Sequence, residues 1–401
     1  MAKYIDLLRS HQQQNKSSVT PTSQPLSPPQ ENDASFETLL PDEGLQTHQP
    51  RATSPSNKND LLVDEEPSTS KDPQPQAVQH TNSEIAPQSS DDHWLSDCTQ
   101  HVLTLFKHAQ QNTPSDIVPL SKCISALLSQ LVDGKQHDII MDTLELNIAQ
   151  QTQQIRLIDE DLGSLVQKSI LMMLYAIKTG QRLKLDHDKL RAHTLASMLH
   201  HIGMAQVSPD IRHKKERLNK AELTKIKNAA HNGYLFLEQC NVTDSCILQA
   251  AAQSPERYDG RGESGLSGSD IAWSARLTGV LSMFEALIHY RPYRARLLPR
   301  DAIREIVKHH KQSFDPMMLK ALIESISLYP IGTYVQLNSG EIGMVIRVHP
   351  RLPLRPVVNI EMDIQGSDVP PRQVDLKVQH NLTVEKCMYK ENLADLKEAS
   401  A

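Results

Sequence analysis

Apolar residues recur at helical spacing through the middle of the chain. Val102, for example, follows Trp94 by eight positions, and Leu105 and Phe106 follow Val102 by three and four positions. This spacing places them on one face of a helix. On this spacing we predict helices over residues 94–106, 117–131, 139–148, 162–178, 188–201, 220–238 and 271–290. The region from 91 to 330 is therefore predicted to be helical.

The pattern changes after Pro330. Short runs that alternate or are continuously apolar occupy residues 334–337, 342–348 and 357–362, and Asn338, Ser339 and Gly340 separate the first two. Runs of this length bounded by turn residues are typical of β-strands. We predict a small β extension over residues 331–385.

Residues 1–90 have a different composition. Positions 11–90 hold 11 prolines and a single aromatic residue, Phe36, among many Gln, Ser, Asn and Thr residues. Such a segment cannot bury enough apolar surface to offset the entropy of ordering. The sequence therefore predicts a disordered tail over 1–90, a helical N-terminal region over 91–160 and a second helical domain over 161–330.

Charge and hydropathy exclude several classes of protein. The formal net charge of -6 over 401 residues gives no basic excess that would favour a nucleic-acid polymer. The longest apolar run, Ile170–Ile177, is far shorter than the roughly 20 residues of a membrane helix. No secretory signal is apparent at the N-terminus, so we expect a cytoplasmic protein without a membrane span.

Five short motifs occur in a fixed order in the second helical domain. They are SMLHHIG at 197–203, ERYDGRG at 256–262, FEAL at 284–287, RPYR at 291–294 and FDP at 314–316. Together they resemble the signatures of HD-domain phosphohydrolases, and of the HD-GYP subgroup in particular. The resemblance covers about half of the chain and implies a mainly α, HD-type helical domain followed by the small β extension.

The resemblance also implies a chemistry. HD-GYP proteins typically hydrolyse the bacterial second messenger cyclic di-GMP with two or three iron or manganese ions bridged by an aspartate. Such ions polarise phosphate and lower the pKa of bound water, so that a nucleophile forms near neutral pH.

Most positions that would hold those ions carry other residues in this chain. The bridging aspartate is replaced by His201, which follows His200, and the lysine three positions further on is replaced by Met204. The remaining replacements are Ala229, Ser254 and Pro255, Ser282, Lys168 before Ser169, and Glu263 and Ser264 of the GYP tripeptide. We therefore predict a degenerate metal site, with His200 and His201 as its remnant ligands.

Three basic residues at matching positions remain candidate anion contacts. Lys214 corresponds to the lysine of the family's NKPG loop, and Arg291 and Arg294 to the RPYR pair. Guanidinium groups bind phosphate well, but structural salt bridges explain the two arginines equally well.

Three functions agree with this sequence. The first is a non-catalytic HD-GYP-like signalling or scaffold protein of a bacterium, which binds protein partners and in addition cyclic di-GMP, and for which no cofactor is expected. The second is a weak cyclic di-GMP phosphodiesterase that retains iron or manganese in a reduced site. The third is a helical adaptor without a small ligand.

Overall fold

The computed structural model describes residues 93–131, 154–289, 296–349 and 354–388, together with residues 141, 144, 147, 148, 151 and 352. The predicted disordered tail, most of the predicted helix at 139–148, and Arg291 and Arg294 lie outside the described residues. The predicted domain boundaries stay predictions.

The described chain is mainly helical up to residue 325. Its α-helices are α1 (His93–Gln111), α2 (Val118–Gln130), α3 (Gly163–Arg182), α4 (His187–Leu199), α5 (Pro209–Arg212), α6 (Lys220–Gln239), α7 (Ser245–Gln253), α8 (Trp273–Ile288), α9 (Pro299–Glu305) and α10 (Pro316–Ser325). Short 3-10 helices occupy Ile202–Gln206, Gly268–Asp270 and Lys311–Ser313, and a single π turn occupies Ile306–His310. The helices predicted over 162–178, 188–201, 220–238 and 271–290 are confirmed as α3, α4, α6 and α8, although α4 ends two residues early.

Side-chain caps define where the central helices begin. Asp186 precedes α4 and accepts a hydrogen bond from the Lys189 amide. Asn219 precedes α6 and forms a reciprocal capping box with Glu222. Each cap satisfies backbone N–H groups that have no partner within the helix.

The N-terminal helices and the second helical domain share one hydrophobic core. Phe106 of α1, Ile124 of α2, Ile170 of α3, Leu195 of α4 and Phe236 of α6 all belong to it and are fully or almost fully buried. No helix in the described ranges is long and apolar enough to cross a bilayer.

A five-stranded antiparallel sheet follows the helices. Its strands are β1 (Tyr334–Leu337), β2 (Ile342–Arg347), β3 (Val357–Met362), β4 (Asp368–Asp375) and β5 (Val384–Met388), in the spatial order β4-β3-β2-β1-β5. The first three strands were predicted, whereas β4 and β5, which lie at the two edges, were not. A mainly helical chain with a small C-terminal sheet is thus confirmed.

Two glycines allow α6 to approach the turn after α4 at backbone distance. A methyl group added to Gly203 would lie 2.0 Å from the Ala229 carbonyl oxygen and 2.5 Å from the Gly233 nitrogen. Because both neighbours are backbone atoms, they cannot move aside as a side chain can. Only glycine fits at position 203 without moving α6.

The substitution Gly203→Ala should therefore destabilise the fold strongly. Overpacking in a core costs about 1–3 kcal/mol, and we expect a loss of free energy of unfolding at the upper end of that range or beyond. The matched control is Gly180→Ala in α3, where the added methyl would meet the flexible ends of Leu190 and Leu185. Urea unfolding of both variants measures the difference, and equal stabilities would show that α6 yields readily.

Candidate functional site

The histidine pair lies directly after the last turn of α4. The Ser169 hydroxyl of α3 donates to the Met198 carbonyl at 2.8 Å, which ties that turn to α3. His200 and His201 are 6% and 7% exposed. Both imidazoles are therefore inside the helical domain and not on its surface.

Both ring nitrogens of His200 have hydrogen-bond partners. Nδ1 lies 2.7 Å from the Ser197 carbonyl oxygen, and because a carbonyl can only accept, Nδ1 carries the proton. Nε2 lies 3.2 Å from the Ser282 hydroxyl, and the same hydroxyl accepts a hydrogen bond from Lys168 Nζ at 3.0 Å. The Nε2 lone pair thus accepts a hydrogen bond from the Ser282 hydroxyl, which in turn accepts one from Lys168.

The His201 imidazole contacts α3, His200 and α1. His201 Nε2 lies 3.1 Å from the Leu165 carbonyl oxygen of α3 and must donate to it. Its Nδ1 lies 3.4 Å from His200 Nδ1, and the Phe106 ring of α1 lies 5.3 Å away between centroids. His201 therefore serves as a packing residue with both ring nitrogens in contact.

A buried carboxylate completes this group of side chains. Glu285 of α8 is 2% exposed. Its Oε2 lies 3.9 Å from Lys168 Nζ, and its Oε1 lies 3.6 Å from His289 Nδ1. An ionised carboxylate away from water needs such partners. We call Lys168, His200, Ser282 and Glu285 the His200 centre.

Burial keeps two histidines neutral. It lowers the pKa of His200 to about 3, and the positive charge of Lys168 acts in the same direction, whereas the hydrogen bond to Ser197 opposes it. Burial alone lowers the pKa of His193 to about 3. Both imidazoles thus remain uncharged at neutral pH.

The loop after α7 keeps its shape through a buried glutamate. Glu256 Oε1 accepts a hydrogen bond from the Ser264 amide at 3.0 Å. A methyl group added to Gly262 would lie 2.3 Å from Glu256 Oε2. The ERYDGRG motif therefore closes around the glutamate, and this explains its glycine at position 262 in steric terms.

A polar cleft of about 150 Å³ opens between α6 and this loop. Lys227 and Glu263 form an ion pair of 3.2 Å at the cleft. Its lining residues are Lys227, Asn228, Ala230, His231, Asn232, Ala252, Pro255, Glu256, Glu263 and Ser264. We call it the α6 cleft. His231 faces it, whereas Ala229, the position aligned with a family histidine, is buried among apolar side chains.

The predicted anion contacts stay predictions. Lys214 Nζ forms hydrogen bonds of 2.7 and 2.9 Å with both carboxylate oxygens of Glu222, so it braces the capping box of α6. Arg291 and Arg294 lie outside the described residues.

The family resemblance placed Lys168, Ser282 and His200 among the positions of one metal site, but it did not predict how these side chains bond to each other. Lys168 is 32 residues from His200, and the packing of α3 against α8 places its ammonium beside Ser282. A further signal lay in Glu285 of the FEAL motif, since an acid on a buried helix face needs a cation nearby.

Comparison with known proteins identifies the helical region. Residues 137–318 match the family described as HD domain.

The chain contains an HD domain.

Residues 334–396 match a KOW domain associated with HD domain, which corresponds to the C-terminal sheet. The HD domain begins within the predicted N-terminal region and ends in α10.

Several curated proteins are similar to the HD-domain part of the chain. Cyclic di-GMP phosphodiesterase PA4108 of Pseudomonas aeruginosa is 28% identical over 51% of this chain and 50% of its own length. Cyclic di-GMP phosphodiesterase PdeB of Borreliella burgdorferi is 27% identical over 48% of this chain and 50% of its own length. The chain thus spans about half the length of these relatives. A solved HDGYP protein of Bdellovibrio bacteriovorus, Bd1817, is 15% identical with a TM-score of 0.35, over 58% of this chain and 79% of its own.

These matches overturn one expectation. We expected no cofactor, and that expectation is wrong, because an HD domain similar to cyclic di-GMP phosphodiesterases points to metal use. The His200 centre itself does not fit a pair of bridged ions, since one of its four members is an ammonium and another a hydroxyl. Within the described ranges, no three His, Cys, Asp or Glu side chains are grouped to hold a metal. Degeneracy of the site stays a prediction.

The buried histidines predict a pH-dependent stability. Because the pKa of His200 is about 3 in the folded chain and about 6.5 when unfolded, the unfolded chain binds the proton first as the pH falls. Stability should therefore be lost from about pH 6.5 towards pH 3, by roughly 1.4 kcal/mol per pH unit for each such histidine.

The variant His200→Gln should remove the share of this dependence that His200 contributes, while His193 and His231, whose pKa values burial also lowers, keep theirs. Urea unfolding at pH 7, 6 and 5 measures it. A slope equal to that of the unsubstituted chain would mean that His200 is protonated in the folded state.

Proposed function

We propose that this protein is a cyclic-dinucleotide signalling protein, whose HD domain binds cyclic di-GMP or a related 3′3′ dinucleotide and passes the signal on without hydrolysing it. The names of the relatives support the ligand class. Four have cyclic di-GMP phosphodiesterase in their names, and three from Vibrio cholerae are called 3′3′-cGAMP-specific phosphodiesterases. Because the chain spans only about half of the first two, the likeness concerns the HD domain.

The α6 cleft supports binding of a nucleobase. Asn228 and Asn232 each offer an amide that can donate and accept, and Glu263 offers a carboxylate. A guanine edge presents the complementary set, with acceptors at O6 and N7 and a donor at N2. A volume near 150 Å³ is smaller than the 300–1,000 Å³ of a typical whole-ligand pocket, so one base would enter and the rest would lie outside.

A cation beside the cleft supports recognition of the phosphates. Lys227 is exposed on α6, and its ion pair with Glu263 is on the surface. Surface pairs of this kind contribute little to stability. The lysine can therefore exchange Glu263 for a phosphate oxygen at low cost.

One observation carries the proposal that hydrolysis is absent. Lys168 Nζ, Ser282 Oγ and His200 Nε2 form a continuous hydrogen-bonded chain with links of 3.0 and 3.2 Å. The lone pair that His200 would offer to a catalytic ion accepts a hydroxyl proton instead. A two-metal mechanism needs several such donors free to converge.

The second candidate is a metal-dependent phosphodiesterase, and the names of the relatives favour it. Its site would then need metal ligands in addition to His200 and His201. The two candidates differ in one measurable property, which is turnover of the bound dinucleotide.

Both candidates can be separated in one set of experiments on tag-free protein. Calorimetric titration with cyclic di-GMP and with 3′3′-cGAMP should show binding, and chromatography after incubation with Mn²⁺ or Fe²⁺ should show intact dinucleotide. Linear product would establish the phosphodiesterase and reject the non-hydrolytic proposal. Absence of binding to either dinucleotide would reject both and leave the ligand-free adaptor.

The cleft itself is tested by a matched pair of variants on α6. Lys227→Ala should weaken dinucleotide binding roughly tenfold, as expected for a lost hydrogen bond to a charged group. Lys225→Ala removes an equally exposed lysine on the same helix that does not line the cleft, and it should bind as the unsubstituted chain does. Equal affinities of the two variants would place the ligand elsewhere.

A further inference from the structure

Lys168 carries a positive charge into a region from which water is largely excluded. Its side chain is 15% exposed, and that of its ion-pair partner Glu285 is 3% exposed. Lysine is almost never buried without a partner. The neighbouring Ser169 is anchored to the end of α4, so α3 cannot easily rotate Lys168 out to solvent.

Two opposite charges lie side by side at the His200 centre. Glu285 supplies one negative charge, and Lys168 supplies one positive charge 3.9 Å away. A divalent cation added to this group would lie close to the buried ammonium of Lys168, and the repulsion between the two cations is costly at low dielectric.

The geometry leaves no vacant donor on His200 for such an ion. A metal bound to Nε2 would have to lie about 2.1 Å from it, within the 3.2 Å that separates Nε2 from Ser282 Oγ. Binding of the metal would break the hydrogen bond between Ser282 and His200 and would place the metal close to Lys168.

We propose that the Lys168 ammonium is the resident cation of the His200 centre: it takes the place of a bound ion there, links α3 to α8 and keeps divalent metal from His200. The inference concerns this position only, and metal bound by other residues is compatible with it. It rests on the contacts of Lys168 and not on dinucleotide binding, so either can fail alone.

The first test uses the unsubstituted full-length chain. Mn²⁺ is paramagnetic and broadens the NMR signals of nuclei close to it. Titration with Mn²⁺ should leave the side-chain signals of His200 sharp. Broadening of His200 at micromolar Mn²⁺, at a lower Mn²⁺ concentration than that of any other signal, would overturn the proposal.

The second test turns the centre into a set of metal donors. The double variant Lys168→His with Ser282→Asp removes the ammonium and adds an imidazole and a carboxylate beside His200 and Glu285. Its affinity for Mn²⁺ should rise at least about tenfold over that of the unsubstituted chain, with a matching Mn²⁺-dependent increase in Tm. A folded double variant without this gain would contradict the proposal.

A conservative control separates charge from donor chemistry. Lys168→Arg keeps the positive charge, so its Mn²⁺ affinity should stay at the unsubstituted level. If Lys168→Arg gained affinity as the double variant does, the ammonium could not be what excludes the ion. If the double variant fails to fold, the Mn²⁺ titration of the unsubstituted chain still decides.

Discussion

The approach of α6 to the turn after the histidine pair sets the geometry of the HD domain. With only hydrogen at Gly203 and Gly233, the two backbones come so near that a single methyl at position 203 would lie 2.0 Å from a carbonyl oxygen. This contact fixes how far His231 and the α6 cleft lie from His200. The loop closed around Glu256 forms the opposite wall of the cleft. Two steric constraints, each requiring glycine, thus shape the candidate binding surface.

Buried charge is the second determinant of the site. Glu285 and Lys168 compensate one another across α8 and α3, and Ser282 relays the lysine's hydrogen bond to His200. The HD domain provides the fold, and the chemistry of the His200 centre depends on a few side chains within it. Function is carried by sites placed on a fold, and the fold does not decide it.

The sequence predicted the regular elements well where periodicity was strong. Helices α3, α4, α6 and α8 lie where the apolar spacing predicted them. The strands β4 and β5 were missed for a physical reason: β4 contains Pro370 and Pro371 and is largely exposed, so it lacks the alternation that marks a half-buried strand. Proline is tolerated there because an edge strand need not donate every N–H group. The site was harder: the resemblance placed Lys168, Ser282 and His200 at one centre, but their hydrogen bonds depend on tertiary packing, and Lys214 proved to be bonded to Glu222.

The contacts of Phe106 limit the residue at which an HD-domain fragment can begin. The family match begins at residue 137, yet the Phe106 ring lies 5.3 Å from the His201 ring and belongs to the same core as α3 and α4. A fragment that begins at residue 137 would lack α1 and α2, and it would expose the His201 ring and the apolar faces of α3 and α4 that pack against these two helices. Expression of the HD domain as a separate piece thus has to start before His93.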